Sequence, residues 1–411
     1  MLDMKSQVRK KSSVKARNSS GEPFGIPGRG ATSAKKQVFI GMSGGVDSSV
    51  SAALLKKEGY DVTGVFIKVW QPDWLECTWK EDRRDAMRVA AHLNITFTTL
   101  DLEKEYKKDV VDYMIAEYRA GRTPNPDVMC NKSVKFGAFY DWAMEKGADF
   151  VATGHYAQVI KDGTSPALAS KKEYLNAPGT FNVHTAKDSN KDQSYFIYNL
   201  KQEQLSHILF PIGHLDKPEV RILARKFKLQ NADKKDSQGL CFIGHVDMKE
   251  FLSHYIHSKP GIVLNERGQT IGTHPGALFF TIGERHGFTV TQKTPHDEPY
   301  FVIAKDMITN TITVAQHAPV RTVTKGARTI FPTAHTKIKI INTNWINRTP
   351  ILGAQLYARA RYRQVLENTT IISIDKNEAY VDYAGSPQTI SPGQCLVLYD
   401  GTVCIGGGII A

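Results

Sequence analysis

A chain of 411 residues is longer than one hydrophobic core ordinarily fills, so two or three domains are expected. With 41% hydrophobic and 23% charged residues it has an ordinary globular composition, and no apolar run approaches the roughly 20 residues of a bilayer span, which argues against a membrane protein. The formal net charge of +12 points to a polyanionic partner, but nine Lys/Arg against two acidic residues fall within residues 1–36, leaving the remainder only mildly basic.

Those first 36 residues are polar, basic and rich in Ser, Gly and Pro, with no apolar core of a secretory signal. They are expected to form a disordered tail. A transit peptide, which would place the protein in the mitochondrial matrix, and an RNA-gripping arm are the other readings. From Gln37 strands and helices alternate. "QVFIGM" reads as a buried strand, Ser48–Glu58 as a helix stopped by Gly59, and "DVTGVFIKVW" as a second strand. "KEDRRDAMRVAAHL" is a helix with apolar spacing at Met87, Val89, Ala90 and Leu93, and "TFTTLD" a third strand. A long helix then runs to about Arg119, and "VKFGAFYDWAMEKG" is a helix feeding the strand "DFVATG". This alternation predicts an α/β fold with a doubly wound parallel sheet over residues 37–244, whose ligands belong beyond the carboxyl ends of the strands. Met42–Ser49 and Gly154–His155 both fall there.

Residues 160–186 are turn-rich and read as a hairpin insertion; helical pattern returns at 201–209 and at "KPEVRILARKFKL", where Pro218 suits a first helical turn. After the short helix "DMKEFLSHYI" the pattern becomes β-rich, giving a small central domain near 245–325 and a C-terminal β-barrel over 326–411.

The stretch after the first strand, Gly41-Met42-Ser43-Gly44-Gly45-Val46-Asp47-Ser48-Ser49, has the shape of a phosphate loop without its lysine. Two glycines let several N–H groups face one anion, the serines add hydroxyl donors, and the following helix presents its positive end. Asp47 would repel a bare phosphate, so it makes sense as a contact to Mg²⁺. Such a loop holds pyrophosphate as a leaving group while attack occurs at the α-phosphorus, giving an adenylate. On these residues the chain resembles the PP-loop ATP pyrophosphatases, which implies ATP and Mg²⁺.

Five cysteines (Cys77, Cys130, Cys241, Cys395, Cys404) include no C-x-x-C pair, which argues against a disulfide scaffold, a zinc knuckle or a cysteine-ligated cluster and suits a reducing compartment, the cytoplasm. Cys77, Cys395 and Cys404 read as small buried hydrophobes. Cys130, in "GRTPNPDVMCNKSVKF", follows a stretch in which Pro124 and Pro126 oppose helix. It is expected on a stiff loop entering a helix near Asn131, with Arg122, Lys132 and Lys135 lowering its pKa. Cys241, in "KKDSQGLCFIGH", also reads as a loop thiol.

"GMSGGVDSS", "GRTPNPDVMCNKSVKFG", "ATGHYA", "KDQSYF", "DSQGLCFIG", "PGQCLVLYDG" and "CIGGGII" occur together and in this order. They resemble the tRNA-specific 2-thiouridylases, the MnmA family, from about Gln37 to the C-terminus. Ile67 stands where that family often has methionine. The resemblance implies a transferase that adenylates the C2 oxygen of a tRNA wobble uridine and replaces it with sulfur. Cys241 would carry a persulfide received from a sulfur-carrier protein. Cys130 would either attack the activated base or expel the sulfur by forming a transient disulfide with Cys241. It further implies ATP contacts at Gly41–Ser48, Ile67 and Gly154, and target-base contacts at Asn125, Pro126 and Asp127. tRNA contacts are implied at His155, Lys191, Asp192, Gln193, Arg361, Tyr362 and Gln394. In "ARARYRQ", strand spacing places Arg359, Arg361 and Arg363 on one face as a guanidinium row for phosphates, with Tyr362 on the other. A monomer is expected, a dimer remaining open. The competing readings are a PP-loop ligase forming lysidine or an amide, and an RNA-binding protein with an idle nucleotide pocket.

Overall fold

A computed structural model describes residues 35–75, 79–162, 180–236, 247–291, 298–316, 335–386 and 389–411. The tail reading, except for Lys35 and Lys36, and the readings of Cys77 and Cys241 lie outside the described residues.

Strand β1 (Gln37–Gly41) alternates buried Val38 and Ile40 with the less buried Phe39, and feeds helix α1 (Val46–Lys57). Next come β2 (Asp61–Lys68), α2 (Trp79–Leu93) and β3 (Thr96–Asp101). On α2 the buried residues are Ala86, Val89 and Ala90, with Leu93 packed beside them, whereas Met87 is 43% exposed. The expected place of Met87 on the apolar face is thus corrected: the i, i+3, i+4, i+7 stripe starts one residue earlier. Helices α3 (Glu103–Tyr106) and α4 (Tyr113–Arg119) are joined through a wider-wound segment, Lys107–Asp112. Helices α5 (Pro126–Met129) and α6 (Phe139–Glu145) are joined likewise through Cys130–Ala138. Strand β4 (Phe150–Ala152) follows, then the hairpin β5 (Gln158–Lys161) and β6 (Phe181–His184), helix α7 (Gln202–Leu205), β7 (Ile208–Leu209) and α8 (Lys217–Lys226). The helical reading of 201–209 is half corrected: Ile208 and Leu209 pair parallel with Val151 and Ala152.

The parallel sheet has the order β3-β2-β1-β4-β7, so the order in which strands are added reverses between β1 and β4. Two apolar layers cover it. Val50, Leu55, Val89, Ala90, Val220 and Ala224 pack on one face, and Val110, Met114, Cys130, Val134 and Phe139 on the other. This is the doubly wound α/β fold, with its crevice at the carboxyl ends of β1 and β4.

Helix α9 (Met248–Ser253) leads into β8 (Gly261–Leu264), β9 (Thr270–His274), β10 (Thr289–Val290), β11 (Phe301–Asp306) and β12 (Thr311–Ala315). These strands form a separate sheet ordered β10-β9-β8-β12-β11. The last six strands are β13 (Thr336–Trp345), β14 (Gln355–Arg359), β15 (Glu367–Asp375), β16 (Glu378–Tyr383), β17 (Cys395–Asp400) and β18 (Val403–Ile410). They run β13-β16-β15-β14-β17-β18, and β13 pairs back onto β18 to close a barrel. The β5–β6 hairpin extends that sheet, with Val183 opposite Cys404, so the parallel-sheet domain contributes strands to the barrel.

The two bodies are also joined by a buried ion pair. Arg359, 6% exposed, donates to the carboxylate of Asp192, 3% exposed, and to Ser194 Oγ at 3.1 Å and Tyr399 Oη at 2.7 Å. Removing one partner of such a pair leaves the other charged and dry. Arg359→Met is expected to lower unfolding stability by about 3–5 kcal/mol, measured by urea denaturation; a loss below about 1 kcal/mol would show that Asp192 is satisfied without it.

Candidate active site

A cavity of about 670 Å³ lies at the reversal point between β1 and β4. Its lining includes Gly41, Met42, Ser43, Gly45–Ser48 and Ile67 from the first two strands and the loop, Gly154, His155 and Tyr156 from beyond β4, and Asp127, Asn131, Lys135, Lys191, Gln193, Tyr362 and Arg363. The phosphate loop is held from within: Ser49 Oγ donates to the Gly45 carbonyl at 2.8 Å, and Ser43 N–H to Ser48 Oγ at 3.3 Å. Asn231 Nδ2 secures it from outside, bonding the Gly44 carbonyl and Ser49 Oγ, each at 2.9 Å.

Two glycines are required by space. Gly44 has φ +75°, and a Cβ there would lie 2.3 Å from the Asp82 carbonyl oxygen. A Cβ on Gly154 would lie 2.7 Å from Ser48 N. At its start α1 has Gly45, which offers no capping side chain, so no residue at that position claims the first-turn N–H groups.

Asp47 has protein partners of its own. Lys217 Nζ, from the first turn of α8, bonds Asp47 Oδ1 at 2.8 Å and Oδ2 at 2.9 Å, and Tyr156 Oη donates to Oδ1 at 2.9 Å. Lys217 also reaches Asp236 at 2.7 Å, which further accepts from Lys191 at 2.6 Å and Arg221 at 2.8 Å. Burial opposes ionisation of Asp236, but the lysine contacts prevail and hold its carboxyl down at about 2. Burial and the Asp47 charge push the Tyr156 phenol far upward, so it stays a donor. Asp47, read from the sequence mainly as a contact to Mg²⁺, is thus also ion-paired with Lys217.

His155 is 5% exposed, set against Phe136 and Phe210, with Nδ1 2.7 Å from Thr153 Oγ1. Burial, then Lys135, keeps its pKa well below the ordinary range, so the ring is neutral.

The segment before Cys130 differs from the expected loop. Helix begins at Pro126, which suits the first helical position, and Asn125 caps it by accepting the Val128 N–H at 3.2 Å. The side chain of Asn125 is thus occupied as a cap, while Asp127 lines the cavity. Cys130 is 0% exposed in the apolar layer beside Val134 and Phe139, rather than on a loop. Of the expected cations, Arg122 pairs with Glu117 at 2.6 Å, and Lys135 Nζ lies 3.5 Å from His155 Nε2.

The residues expected at RNA separate into two groups. Lys191, Gln193, Tyr362 and His155 line the cavity. Asp192 is buried on Arg359 and is withdrawn as a surface contact. Gln394 Nε2 donates to the Thr123 carbonyl at 3.0 Å and the Pro124 carbonyl at 3.1 Å, so its amide props the segment ahead of Asp127. The guanidinium row does not form, because β14 ends at Arg359 and strand alternation ends with it. Arg361 is turned into the protein toward the Ile282 carbonyl and Ser391 Oγ, while Arg363, at φ +63°, donates to the Asn190 carbonyl at 3.1 Å. Tyr362 packs on Phe196 with ring centres 4.7 Å apart.

Sequence reasoning missed Lys217, Tyr156, Asn231 and Asp236. Lys217 lies 170 positions from Asp47, and its only local signal was its place at a helix start.

Residues 36–245 match the family described as tRNA methyl transferase HUP domain, 249–316 its PRC-barrel domain, and 335–410 the aminomethyltransferase beta-barrel domain. The tRNA-specific 2-thiouridylase MnmA of Streptococcus mutans is 43% identical over 382 residues, 92% of this chain and 95% of that protein. The chain belongs to the 2-thiouridylase family. Its MnmA relative in Lactococcus lactis subsp. cremoris is 43% identical over 391 residues, 93% of this chain and 96% of its own. Among solved structures, a 4-thiouridine synthetase–RNA complex with bound ATP covers 53% of this chain at 17% identity, with a TM-score of 0.31, too slight a likeness to bear on the site.

In this 2-thiouridylase the close approach at Gly44 makes the loop sensitive to a single methyl. Gly44→Ala is expected to abolish the rise in melting temperature produced by ATP while leaving the far-UV circular dichroism unchanged. An intact ATP-dependent shift would show that the loop can yield at Asp82.

Proposed function

We propose that this chain is an ATP-dependent tRNA-uridine 2-sulfurtransferase. The observation that carries the reading is one cavity shared by a lysine-free phosphate loop and the Asp127 end of the helix bearing Cys130. Phe66, Ile67, Val69 and Trp79 supply an apolar wall suited to adenine, next to the polar loop suited to pyrophosphate. The wobble uridine, lifted from its stack, would enter beside Asp127, with Tyr362 and Phe196 available for stacking.

In this scheme the C2 oxygen attacks the α-phosphorus of ATP. The new O–P bond forms as pyrophosphate leaves with the electron pair, and the N3 proton passes to water. The adenylated C2 then has AMP as a good leaving group. The terminal sulfur of a persulfide on Cys241, loaded by a sulfur-carrier protein, ends on C2. Cys130 takes part by one of two routes: it first displaces AMP from C2 and is then displaced by the terminal persulfide sulfur, or that sulfur displaces AMP directly. In either case the resulting Cys241–S–S–C2 bond is broken by attack of the Cys130 thiolate on the Cys241 sulfur, which frees the thiolated base as a Cys130–Cys241 disulfide forms. Either route needs a thiol reductant before the next turnover. Mg²⁺ would neutralise the leaving pyrophosphate; with Asp47 already holding Lys217 and Tyr156, its ligands would come chiefly from phosphate and water.

Burial of Cys130 adds a requirement: the helical segment must shift before the thiol can act. It includes the widely wound stretch Cys130–Ala138, a rare geometry that concentrates at functional sites. Among the described residues no helix is long and apolar enough to cross a membrane. A reducing compartment suits thiol chemistry, so we place the reaction in the cytoplasm, or in the mitochondrial matrix should residues 1–36 act as a transit peptide.

Mass spectrometry of tRNA incubated with protein, ATP and a persulfide sulfur donor is expected to show exchange of one oxygen for sulfur in a uridine, lost in Cys130→Ser. Release of ADP and phosphate, or full turnover by Cys130→Ser, would refute the scheme. Alkylation of Cys130, followed by peptide mapping, is expected to be slow in the free protein and at least about tenfold faster with tRNA and ATP, since exposure is what limits a buried thiol.

A further inference from the structure

We propose that Lys217 is the pyrophosphate-binding cation of this site, delivered from α8 in place of the lysine that the loop lacks. The inference rests on the ATP-binding role of the loop proposed above. Lys217 Nζ touches both carboxylate oxygens of Asp47, the acidic residue of the loop itself, and its side chain is only 14% exposed. Asp47, Tyr156 and Asp236, its three neighbours, all line the cavity, so the ammonium is one carboxylate removed from the space where a ligand would lie.

The electrostatics favour an exchange of partners. A pyrophosphate group brought to the loop places several negative charges next to the carboxylate of Asp47. That repulsion is offset when Lys217 swings its ammonium between the Asp47 carboxylate and the phosphate oxygens. Lys217 is well placed for such a turn. The Asp216 N–H is held by Glu219 Oε2 at 2.7 Å, the Lys217 N–H by Asp188 Oδ2 at 3.0 Å, and Pro218 follows, so the backbone is fixed and the exchange needs only rotation of the long side chain. Asp236 does not depend on Lys217 alone, because Lys191 and Arg221 also bond it. Asp236 therefore stays paired when Lys217 moves, while Asp47 keeps the Tyr156 hydroxyl. Lys235 also lines the cavity, but the ion pair with the loop's own acid belongs to Lys217.

The test is calorimetric binding of ATP, pyrophosphate and AMP to the wild-type chain, Lys217→Met, Lys217→Arg and the Asp47→Asn/Lys217→Met double variant. A direct phosphate contact predicts that Lys217→Met weakens ATP and pyrophosphate by about tenfold or more, the scale of one charge-assisted hydrogen bond. AMP binding is expected to be unchanged, and Lys217→Arg to recover most of the loss. The double variant stays weak for pyrophosphate without metal, because the cation is still missing. If the double variant regains wild-type pyrophosphate affinity, Lys217 serves only to neutralise Asp47 and the proposal is overturned. Equal losses for AMP and pyrophosphate, or none for either, overturn it as well. A wild-type chain that binds neither ATP nor pyrophosphate would overturn the nucleotide role of the loop together with this assignment.

Discussion

A turn of backbone that leaves no room for a side chain governs the site. Between β1 and α1 the chain passes so close to the Asp82 carbonyl that only glycine fits at position 44, and the end of β4 presses Gly154 against the first turn of α1 in the same way. The loop is thus clamped from α2 and β4 before any ligand arrives. Asn231 adds a third restraint from beyond α8. A loop held this way keeps its N–H groups in one arrangement, so little ordering remains to be done when an anion binds.

The barrel contributes to this site although it is remote in sequence. Its Pro392 carbonyl accepts the Thr123 N–H at 2.8 Å, and Gln394 holds the next two carbonyls, so the turn before β17 seats the segment that leads to Asp127 and Cys130. The Arg359–Asp192 pair and the β5–β6 hairpin join the same two bodies elsewhere. A barrel that reads as an appended RNA-binding module is therefore also a brace for the segment that carries Asp127 and Cys130. That accounts for residues such as Asp192 and Gln394, whose polar atoms are spent on the protein itself.

Much of the site could be read locally. The strand–loop–helix around Ser43 to Ser49 carries its own signals: a buried strand, two glycines and a helix start within a dozen residues. The alternation of strands and helices likewise predicted the parallel sheet and the position of its crevice. Errors arose where local rules compete. Pro126 opposes a helix interior but favours a helix start, and the structure uses the second property. In "ARARYRQ" the alternation rule fails because the strand ends at Arg359, a boundary imposed by burial of that side chain on Asp192.

The order of strands and helices, the lysine-free loop and the glycines it needs are determined by sequence, because each depends on neighbours within a few residues. Only the tertiary structure decided that Lys217 balances Asp47, that Gln394 braces the Thr123–Pro124 backbone, and that Cys130 lies inside the apolar layer. These contacts join residues up to 271 positions apart. Pairing over such distances leaves no local pattern, since the chain between the partners is free to take any course until the sheet and the barrel have closed.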